Sequence, residues 1–478
     1  MKILRSRRLA GLAACAALVL GVAGTAGTVP AQAQVRGAAT VAPPPDVASW
    51  GANRTGQLGD GTTTDRSRYV DIGFGSNVVQ VAAGWTGRFG HGLEVRSDGT
   101  AWAWGFNGFG ELGDGTTTSR LAPVQVTGLT GVTQVAGGCT HSLALRSDGT
   151  VWAWGDNRFG ELGRGTVTGV EATAAPVSGL TGVTKIAAGC EFSLALRSDG
   201  TVWAWGENRV GQLGNGSTAS SAVPVQITGV SRVTAIAAGW DSAVAIVLNG
   251  ASVWAWGSNK DGGLGDGTLA DHATPVRVTQ IGTVHIAGVT AGFQFAAILG
   301  TDGSVWAWGA DNTGQLGNAP AATPATRPVN TIRAGSGITQ IAAGGDHMLA
   351  LKSGGTVLAW GDNTHGELGT GTTTPVTGPV QVTGLTTATQ VAAGAEDSFA
   401  VHVPAPPAIV PDLTGDTQAQ ASQALQAAGL VLGGVTTVTD KYCNHLGVMS
   451  QDPPAGTAVR PGSAVSVTIG QAPPTGCP

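Results

Sequence analysis

The chain has 478 residues and a formal net charge of −5 at pH 7, and only 12% of its residues are charged. This balance includes no basic block, which argues against a nucleic-acid-binding surface. The 77 glycines and 14 tryptophans are typical of a neutral, secreted all-β protein with many tight turns.

Residues 1–33 have the composition of a secretory signal peptide. Basic residues precede the apolar run Leu9–Gly24, and Ala31–Ala33 fits a small-residue cleavage site. We therefore expect a mature chain that begins at Gln34, with a short linker over residues 34–46.

Two other export signals stay open. Arg7 and Arg8 are compatible with a twin-arginine signal, although the residues after them fit that pattern poorly. Leu12–Cys15 resembles a lipoprotein cleavage box, but few apolar residues precede the cysteine. No later stretch stays apolar for about 20 residues, so we expect a mature chain without a membrane span.

From residue 47 onward, a strand-and-loop unit recurs about every fifty residues. In the copy Thr150–Gly163, small residues alternate with tryptophans, so both faces of the strand are apolar and must be covered. The preceding pair Asp148 and Gly149 predicts a tight hairpin turn. The glycine at the end of the strand recurs at Gly51, Gly105, Gly155, Gly206, Gly257, Gly309 and Gly361.

A second half-motif, similar to Val-Ala-Ala-Gly, also occurs seven times but is out of phase with the first. The chain starts on the tryptophan half at Val47 and finishes on the other half at Val391–Val403. One sheet must therefore combine both ends of the array, which removes the exposed edges that invite aggregation. We predict an all-β fold over residues 47–403, a seven-bladed β-propeller closed by pairing of its N- and C-terminal strands.

This pattern resembles the repeat family named after the regulator of chromosome condensation, and the resemblance covers about three quarters of the chain. It rests on seven strands in register, each followed by a loop of the form G-x-N-x-x-G-[QE]-L-G. The resemblance implies the propeller fold and says little about function, because one fold hosts many functions. We expect one leucine per loop to plug that loop onto its blade. These leucines are Leu58, Leu112, Leu162, Leu213, Leu264, Leu316 and Leu368.

We name the four strands of a blade A to D in chain order, starting from the Val-Ala-Ala-Gly strand. In an antiparallel blade the A–B and C–D loops lie on one side of the ring, here called the loop face. The B–C and D–A connections lie on the other side, the turn face. Loop-face residues vary between copies and include aromatic and arginine side chains, which dominate binding hot spots. We therefore predict partner binding by Trp85, Phe106, Phe109, Arg158, Phe159, Arg209, Trp240 and Phe293.

The sequence predicts no catalytic residues, no cofactor and no metal site. His91, His141 and His347 recur in one slot of the repeat, which favours packing at the inner edge of a blade over catalysis. Four loop acids are candidates for an acidic collar around the central channel, but we prefer to interpret them as solvated loop charge. These acids are Glu191, Asp241, Asp346 and Glu396.

A proline-rich linker at 404–407 ends the propeller, and the pattern then changes. Thr417–Gly429 predicts a helix that stops at its glycine. Short strands are expected around Val431–Thr439, Gly447–Gln451 and Ala464–Ile469. This order, together with the motif S-Q-D-P-P-A-G-T, resembles a PASTA module over residues 408–478. The resemblance implies a small α+β domain that associates with peptidoglycan or muropeptides of a bacterial cell wall.

Four of the five cysteines follow the predicted signal peptide. Cys443 and Cys477 flank the strands of the last module, where a disulfide would stabilise a domain that is small for independent folding. Cys139 and Cys190 occupy one slot in adjacent blades, which favours a second disulfide if their Cα atoms lie within about 7 Å. Neither pair has the spacing of a metal site.

These features predict a secreted, monomeric protein-binding scaffold without enzymatic activity, held near the cell wall, that captures an extracellular protein on its loop face. One alternative is an inhibitor of a secreted enzyme, such as a β-lactamase or a wall transpeptidase. This alternative follows from a likeness to propeller-type β-lactamase inhibitors. The Asp-Gly-Thr repeats are longer here, so their target is not carried over.

Two further classes of function are disfavoured. The family's eukaryotic namesake catalyses nucleotide exchange on a Ran-like GTPase, but an export signal would separate this chain from such a partner. A glycan-processing enzyme would need a pair of carboxylates on a unique loop, and the repeats present none.

Overall fold

The computed structural model describes residues 43–73, 76–84, 89–320, 323–440 and 446–473. The predicted signal peptide, Trp85, Cys443 and Cys477 lie outside these residues. Within them, none of the helices is long and apolar enough to cross a membrane.

Seven four-stranded antiparallel sheets make up the repeat region. The chain enters with β1 (Asp46–Gly51) and β2 (Arg66–Ile72) and then forms blades 1 to 6 in order. Blade 1 contains β3 (Val78–Ala83), β4 (His91–Arg96), β5 (Ala101–Gly105) and β6 (Arg120–Gln125); blade 2 contains β7 (Val132–Gly137), β8 (His141–Arg146), β9 (Val151–Gly155) and β10 (Glu171–Pro176). Blade 3 contains β11 (Val183–Ala188), β12 (Phe192–Arg197), β13 (Val202–Gly206) and β14 (Ser221–Gln226).

The second half of the array follows the same plan. Blade 4 contains β15 (Val233–Ala238), β16 (Ser242–Val247), β17 (Ser252–Gly257) and β18 (His272–Arg277); blade 5 contains β19 (Ile286–Ala291), β20 (Phe295–Gly300), β21 (Val305–Gly309) and β22 (Ala325–Ile332). Blade 6 contains β23 (Ile338–Ala343), β24 (His347–Lys352), β25 (Val357–Gly361) and β26 (Val376–Gln381). The array ends with β27 (Ala388–Ala393) and β28 (Asp397–His402).

Blade 7 combines the two ends of the array. Its strand order is β2-β1-β28-β27, and β1 pairs antiparallel with β28 from Asp46 opposite His402 to Gly51 opposite Asp397. The predicted fold, a seven-bladed propeller whose terminal strands share one sheet, is therefore confirmed.

A buried tryptophan ties each blade to its neighbour. The indole nitrogen of Trp205 in blade 3 donates to the main-chain oxygen of Glu161 in blade 2 at 2.7 Å, and Trp50 in blade 7 donates to Glu367 in blade 6 at 2.7 Å. The same bond recurs in every blade, so these bonds run around the complete ring. The other five donors are Trp104, Trp154, Trp256, Trp308 and Trp360.

The leucine of each C–D loop fills a closed slot, as the sequence predicts. Leu162 is fully buried, and its N–H donates to Oδ1 of the buried Asn157 at 3.1 Å. The Asn157 Nδ2 donates in turn to the carbonyl of Thr166 at 3.0 Å, which folds the loop back on itself. Asp311 takes the place of this asparagine in blade 5 and still accepts from the Leu316 N–H at 3.1 Å.

The domain after the propeller is a small α+β unit. Helix α1 (Gln418–Ala427) starts at Thr417 with a capping box to Gln420 and buries Ala421 and Leu425. Its apolar stripe packs on a three-stranded sheet of order β30-β33-β31. The strands are β29 (Ala408–Ile409), β30 (Val431–Thr439), β31 (Gly447–Asp452), β32 (Ala458–Val459) and β33 (Ala464–Gln471).

Replacing Trp205 by Phe is expected to lower the free energy of unfolding by about 1–3 kcal/mol, because the buried Glu161 carbonyl loses its donor. Urea unfolding monitored by circular dichroism measures the change. Trp203→Phe on the same strand is the matched control, since its indole donates only to the hydroxyl of Thr201 and is partly exposed. Equal losses in the two variants would show that the bond between blades contributes little.

Candidate partner-binding face of the propeller

The A–B and C–D loops lie side by side, as the strand order predicts. The N–H of Asp156 in the C–D loop of blade 2 donates to the carbonyl of Thr140 in the A–B loop at 2.9 Å. Glu207 donates to Glu191 in the same way in blade 3, also at 2.9 Å. Variable positions of both loops therefore form one continuous rim.

Three phenylalanines of blade 1 form an aromatic cluster on this rim. The rings of Phe89 and Phe106 lie 5.0 Å apart, and those of Phe106 and Phe109 lie 6.2 Å apart. Phe106 and Phe109 are partly buried, whereas Phe89 is 50% exposed. The cluster is therefore held together by its own contacts while one ring remains open to solvent.

Arginines of the following blades extend this cluster around the ring. The Arg158 guanidinium of blade 2 lies 5.1 Å from the Phe109 ring centroid of blade 1, and Arg209 of blade 3 lies 5.6 Å from Phe159 of blade 2. In both pairs, the arginine is the third residue after the strand-ending glycine of its own blade. It covers the aromatic residue that is fourth after the corresponding glycine of the preceding blade. Arg54 and His365, 2.8 Å apart, follow the same rule between blades 7 and 6.

Carboxylates below the arginines fix their orientation. Arg158 pairs with Asp156 at 2.6 Å, and the arginine side chain is 52% exposed while the aspartate is buried. Arg209 pairs with Glu207 and is 73% exposed. The bond to Asp156 is the main cause that raises the pKa of Arg158 above its ordinary value. We call Phe89, Phe106, Phe109, Arg158, Phe159 and Arg209 the arginine–aromatic ladder.

A second aromatic pair lies on the A–B loops of blades 4 and 5. Trp240 and Phe293 meet edge to face with ring centroids 5.2 Å apart, and Trp240 packs against Cys139 and Cys190. The structure joins these two cysteines in a disulfide whose Cα atoms are 4.4 Å apart. The Cys190 N–H donates to the Trp240 carbonyl at 3.0 Å, so the covalent link directly supports the aromatic pair.

The predicted binding residues therefore fall into two groups. Phe106, Phe109, Arg158, Phe159 and Arg209 join the ladder, Trp240 and Phe293 form the pair, and Trp85 lies outside the described residues. Sequence reasoning missed Phe89. Its signal was present, because the A–B loop of blade 1 is the longest of the seven and ends beside this residue.

The loop acids are less solvated than the sequence suggested. Burial raises the pKa of Glu191 to about 7, with its neighbour Glu207 adding to the effect. Burial also raises the pKa of Asp241 and of Asp346 to about 6. All three residues nevertheless keep part of their surface exposed to solvent, so their interpretation as solvated loop charge stays a prediction. Among the described residues, no group of three or more potential ligands could hold a metal ion.

The recurrent histidines are buried structural groups. His91 Nε2 lies 3.0 Å from the Ser142 hydroxyl of the next blade, and that hydroxyl donates to the Glu111 carbonyl at 2.8 Å. Burial lowers the pKa of His91 to about 3, so the ring is neutral. His141 and His347 make the same contact with Ser193 and Ser398, at 2.9 and 2.8 Å.

Buried glutamates of the C–D loops were not anticipated. Glu111 accepts the N–H of Phe109 at 2.8 Å and has no exposed surface. Burial raises its pKa to about 8, and burial raises the pKa of Glu161 and Glu367 to about 7. Gln57 accepts the equivalent N–H at 2.9 Å in another blade, so a neutral amide fills the same role. The mixture of Glu and Gln in one slot was the available signal.

Family models match most of the chain. The regulator of chromosome condensation (RCC1) repeat matches seven times, at residues 46–87, 98–145, 148–196, 199–246, 251–299, 302–351 and 354–401. The chain belongs to the RCC1 repeat family. A PASTA domain matches at residues 408–471. Neither model describes an enzyme family.

Curated relatives share the repeat region. The ultraviolet-B receptor UVR8 of Arabidopsis thaliana is 29% identical over 338 residues, which are 68% of this chain and 74% of that protein. The probable E3 ubiquitin-protein ligase HERC4 of Homo sapiens is 36% identical over 349 residues, 70% of this chain but only 32% of HERC4. The chain thus spans about a third of the HERC4 relative.

Solved structures confirm the fold alone. Human WBSCR16 superposes with a TM-score of 0.67 at 22% identity and covers 75% of this chain and 98% of its own. Prp20p of Saccharomyces cerevisiae, described with its binding to Gsp1p and histones, gives a TM-score of 0.65 at 22% identity and covers 76% of this chain and 92% of its own.

Replacing Glu111 by Gln is expected to stabilise the protein at pH 8 by roughly 1–3 kcal/mol. The Glu111 carboxyl has a pKa of about 8 in the folded chain, against an ordinary value of 4.5. It therefore stabilises the folded chain while it is protonated, and this stability is lost as the pH rises from the ordinary pKa through the folded pKa. The amide carries no such loss, so the variant's unfolding free energy should vary less between pH 5 and 8. The exposed Asp98→Asn variant is the control and should leave the slope unchanged. An unaltered slope for Glu111→Gln would contradict the assignment.

Proposed function

We propose that this protein is a secreted, cell-wall-associated binding scaffold that captures a protein partner on the loop face of its propeller. The observation that carries the proposal is the arginine–aromatic ladder. It presents solvent-exposed cations over aromatic rings, and ion pairs below hold each arginine in place.

The ladder has the composition and rigidity of a protein-binding hot spot. Aromatic and arginine side chains are enriched where single residues contribute most of the binding energy. Arg158 is fixed both by the Phe109 ring and by Asp156. A side chain that is already ordered loses less conformational entropy when a partner binds. Trp240 of the second aromatic pair packs against the Cys139–Cys190 disulfide, which joins blades 2 and 3.

The proposed location rests on three features. Residues 1–33 have the pattern of an export signal, and the Cys139–Cys190 disulfide is the kind of bond that persists outside the reducing cytosol. The PASTA domain at residues 408–471 supports association with peptidoglycan. A secreted enzyme such as a β-lactamase or a wall transpeptidase is a partner that this location would supply.

Partner capture is expected to fall when aromatic rings are removed from the ladder. Phe109→Ala combined with Phe159→Ala should reduce capture of partners from culture supernatant by at least about tenfold, with thermal unfolding almost unchanged. Quantitative mass spectrometry of pull-downs measures the loss.

The turn face provides a matched control. Arg146 lies 5.6 Å from the Trp152 ring and Arg197 lies 5.9 Å from Trp203, which are arginine–aromatic pairs on the opposite side of the ring. Arg146→Ala with Arg197→Ala should leave capture intact, whereas Arg158→Ala with Arg209→Ala should weaken it. Equal effects from the two double variants would refute the assignment of the face.

The two domains are expected to act independently. A truncated variant that ends at residue 403 should retain partner capture. It should sediment less with purified peptidoglycan than the full chain does. The propeller's buried blades and the separate apolar core of the PASTA domain support this division. Equal sedimentation of both proteins would contradict the wall-binding part of the proposal. The pull-down measures capture on the loop face separately, so that result would not bear on the loop face.

A further inference from the structure

Four glutamines strap neighbouring blades together inside the central channel. Gln80 of blade 1 donates from Nε2 to the Val135 carbonyl of blade 2 at 2.9 Å, and its Oε1 accepts the Val135 N–H at 2.7 Å. One primary carboxamide therefore satisfies both main-chain groups of one residue. Gln134, Gln340 and Gln390 do the same for Ile186, Val391 and Val81.

Three consecutive blades lack this strap. The slot of the glutamine holds Lys185 in blade 3, Ala235 in blade 4 and Gly288 in blade 5. The residues that would be strapped are Ile236, Val289 and Ile341.

The main-chain groups of these three residues point into the channel. Val135, which the glutamine straps, stands opposite Ala144 in the neighbouring strand. Ile236, Val289 and Ile341 occupy the same register opposite Ala245, Ile298 and Ala350. Their N–H and C=O groups therefore face the channel, and within the described residues no side chain pairs with them. Next to Ile341, a different side chain links the two blades: the Ala343 N–H of blade 6 donates to the Thr290 hydroxyl of blade 5 at 3.0 Å.

The missing side chains leave space. A cavity of about 640 Å³ occupies the turn-face half of the channel and is lined by Lys185, Ile236, Gly288 and Val289 on one side and by the strapping glutamines on the other. Lys185 is exposed in this cavity and makes no ion pair within the described part of the chain.

We propose that this cavity, here called the channel site, binds a short peptide that carries a primary carboxamide beside a carboxylate. The four glutamines show which group fits, because each already pairs a carboxamide with the same two main-chain atoms. The Val289 groups would take the ligand's carboxamide, and the Lys185 ammonium would take its carboxylate. Main-chain groups that bind a matching amide discriminate strongly against analogues that lack it.

The test uses the ¹⁵N-labelled full chain and two synthetic probes. N-acetyl-Glu-Gln-amide carries the carboxylate and primary carboxamides, whereas N-acetyl-Glu-Met-dimethylamide keeps the charge and the size without them. We expect saturable shifts of the Val289 amide signal with the first probe and binding at least about tenfold weaker with the second. Equal binding of both probes, or no shift at Val289 with either, would overturn the proposal.

The chain itself supplies the blocking variant. Ala235→Gln with Gly288→Gln places the strapping side chain in two of the three gaps, and an added Cβ at Gly288 meets only the Leu299 side chain at an ordinary 3.6 Å. This variant should melt at a higher temperature and bind the first probe at least about tenfold more weakly. Full binding in a variant that melts higher would contradict the site.

A single variant and a control complete the design. Lys185→Gln should also raise the melting temperature and should remove the preference for a probe that carries a carboxylate over its neutral Gln-Gln analogue. Val79→Gln places a glutamine at an exposed position of the strapped blade 1 and should leave both binding and preference unchanged. A preference that persists in Lys185→Gln would show that the lysine does not contact the ligand. Loop-face capture is measured separately, so either result leaves the proposed scaffold function intact.

Discussion

The fold depends on one hydrogen bond repeated around a ring, from a buried indole to a main-chain oxygen of the preceding blade. Seven copies of a sheet with two apolar faces could stack in several ways, because the hydrophobic effect has no direction. The indole bond has a direction and one acceptor per blade. It fixes the register of each blade on the next, and the shared sheet of β1 and β28 applies the same constraint to the last pair.

Once the blades are fixed, the rims become available for recognition. The ladder forms because the third C–D loop residue of one blade lies above the fourth C–D loop residue of the preceding blade. These contacts join two neighbouring repeats, and no single repeat contains them. Arg158 and Phe109 are 49 positions apart in sequence, yet they meet at 5.1 Å. The glutamine straps follow the same logic inside the channel. A repeated frame thus lets single substitutions create a local surface without altering the blade below.

Much of the fold could be predicted from the sequence because its signals are local and recur. The Asp-Gly turns, the alternating tryptophan strands and the leucine plugs each follow from the pattern of one repeat, and the capped helix at Thr417 follows from its own residues. The disulfide could not be decided, since the distance between Cys139 and Cys190 depends on the radius of the ring. The mixture of Glu and Gln in one slot pointed to Glu111, but its burial was missed because its partner is a main-chain N–H, which the sequence pattern does not identify.

The shared seventh blade has a consequence for the order in which the chain can fold. Strand β1 is made first but pairs with β28, which follows it by about 350 residues. During synthesis, the β1–β2 hairpin must therefore wait for the two remaining strands of its sheet, while each of the six other blades has all four of its strands in one stretch of chain. The ring can close only when the final repeat emerges, so completion of the propeller depends on synthesis of the whole repeat region.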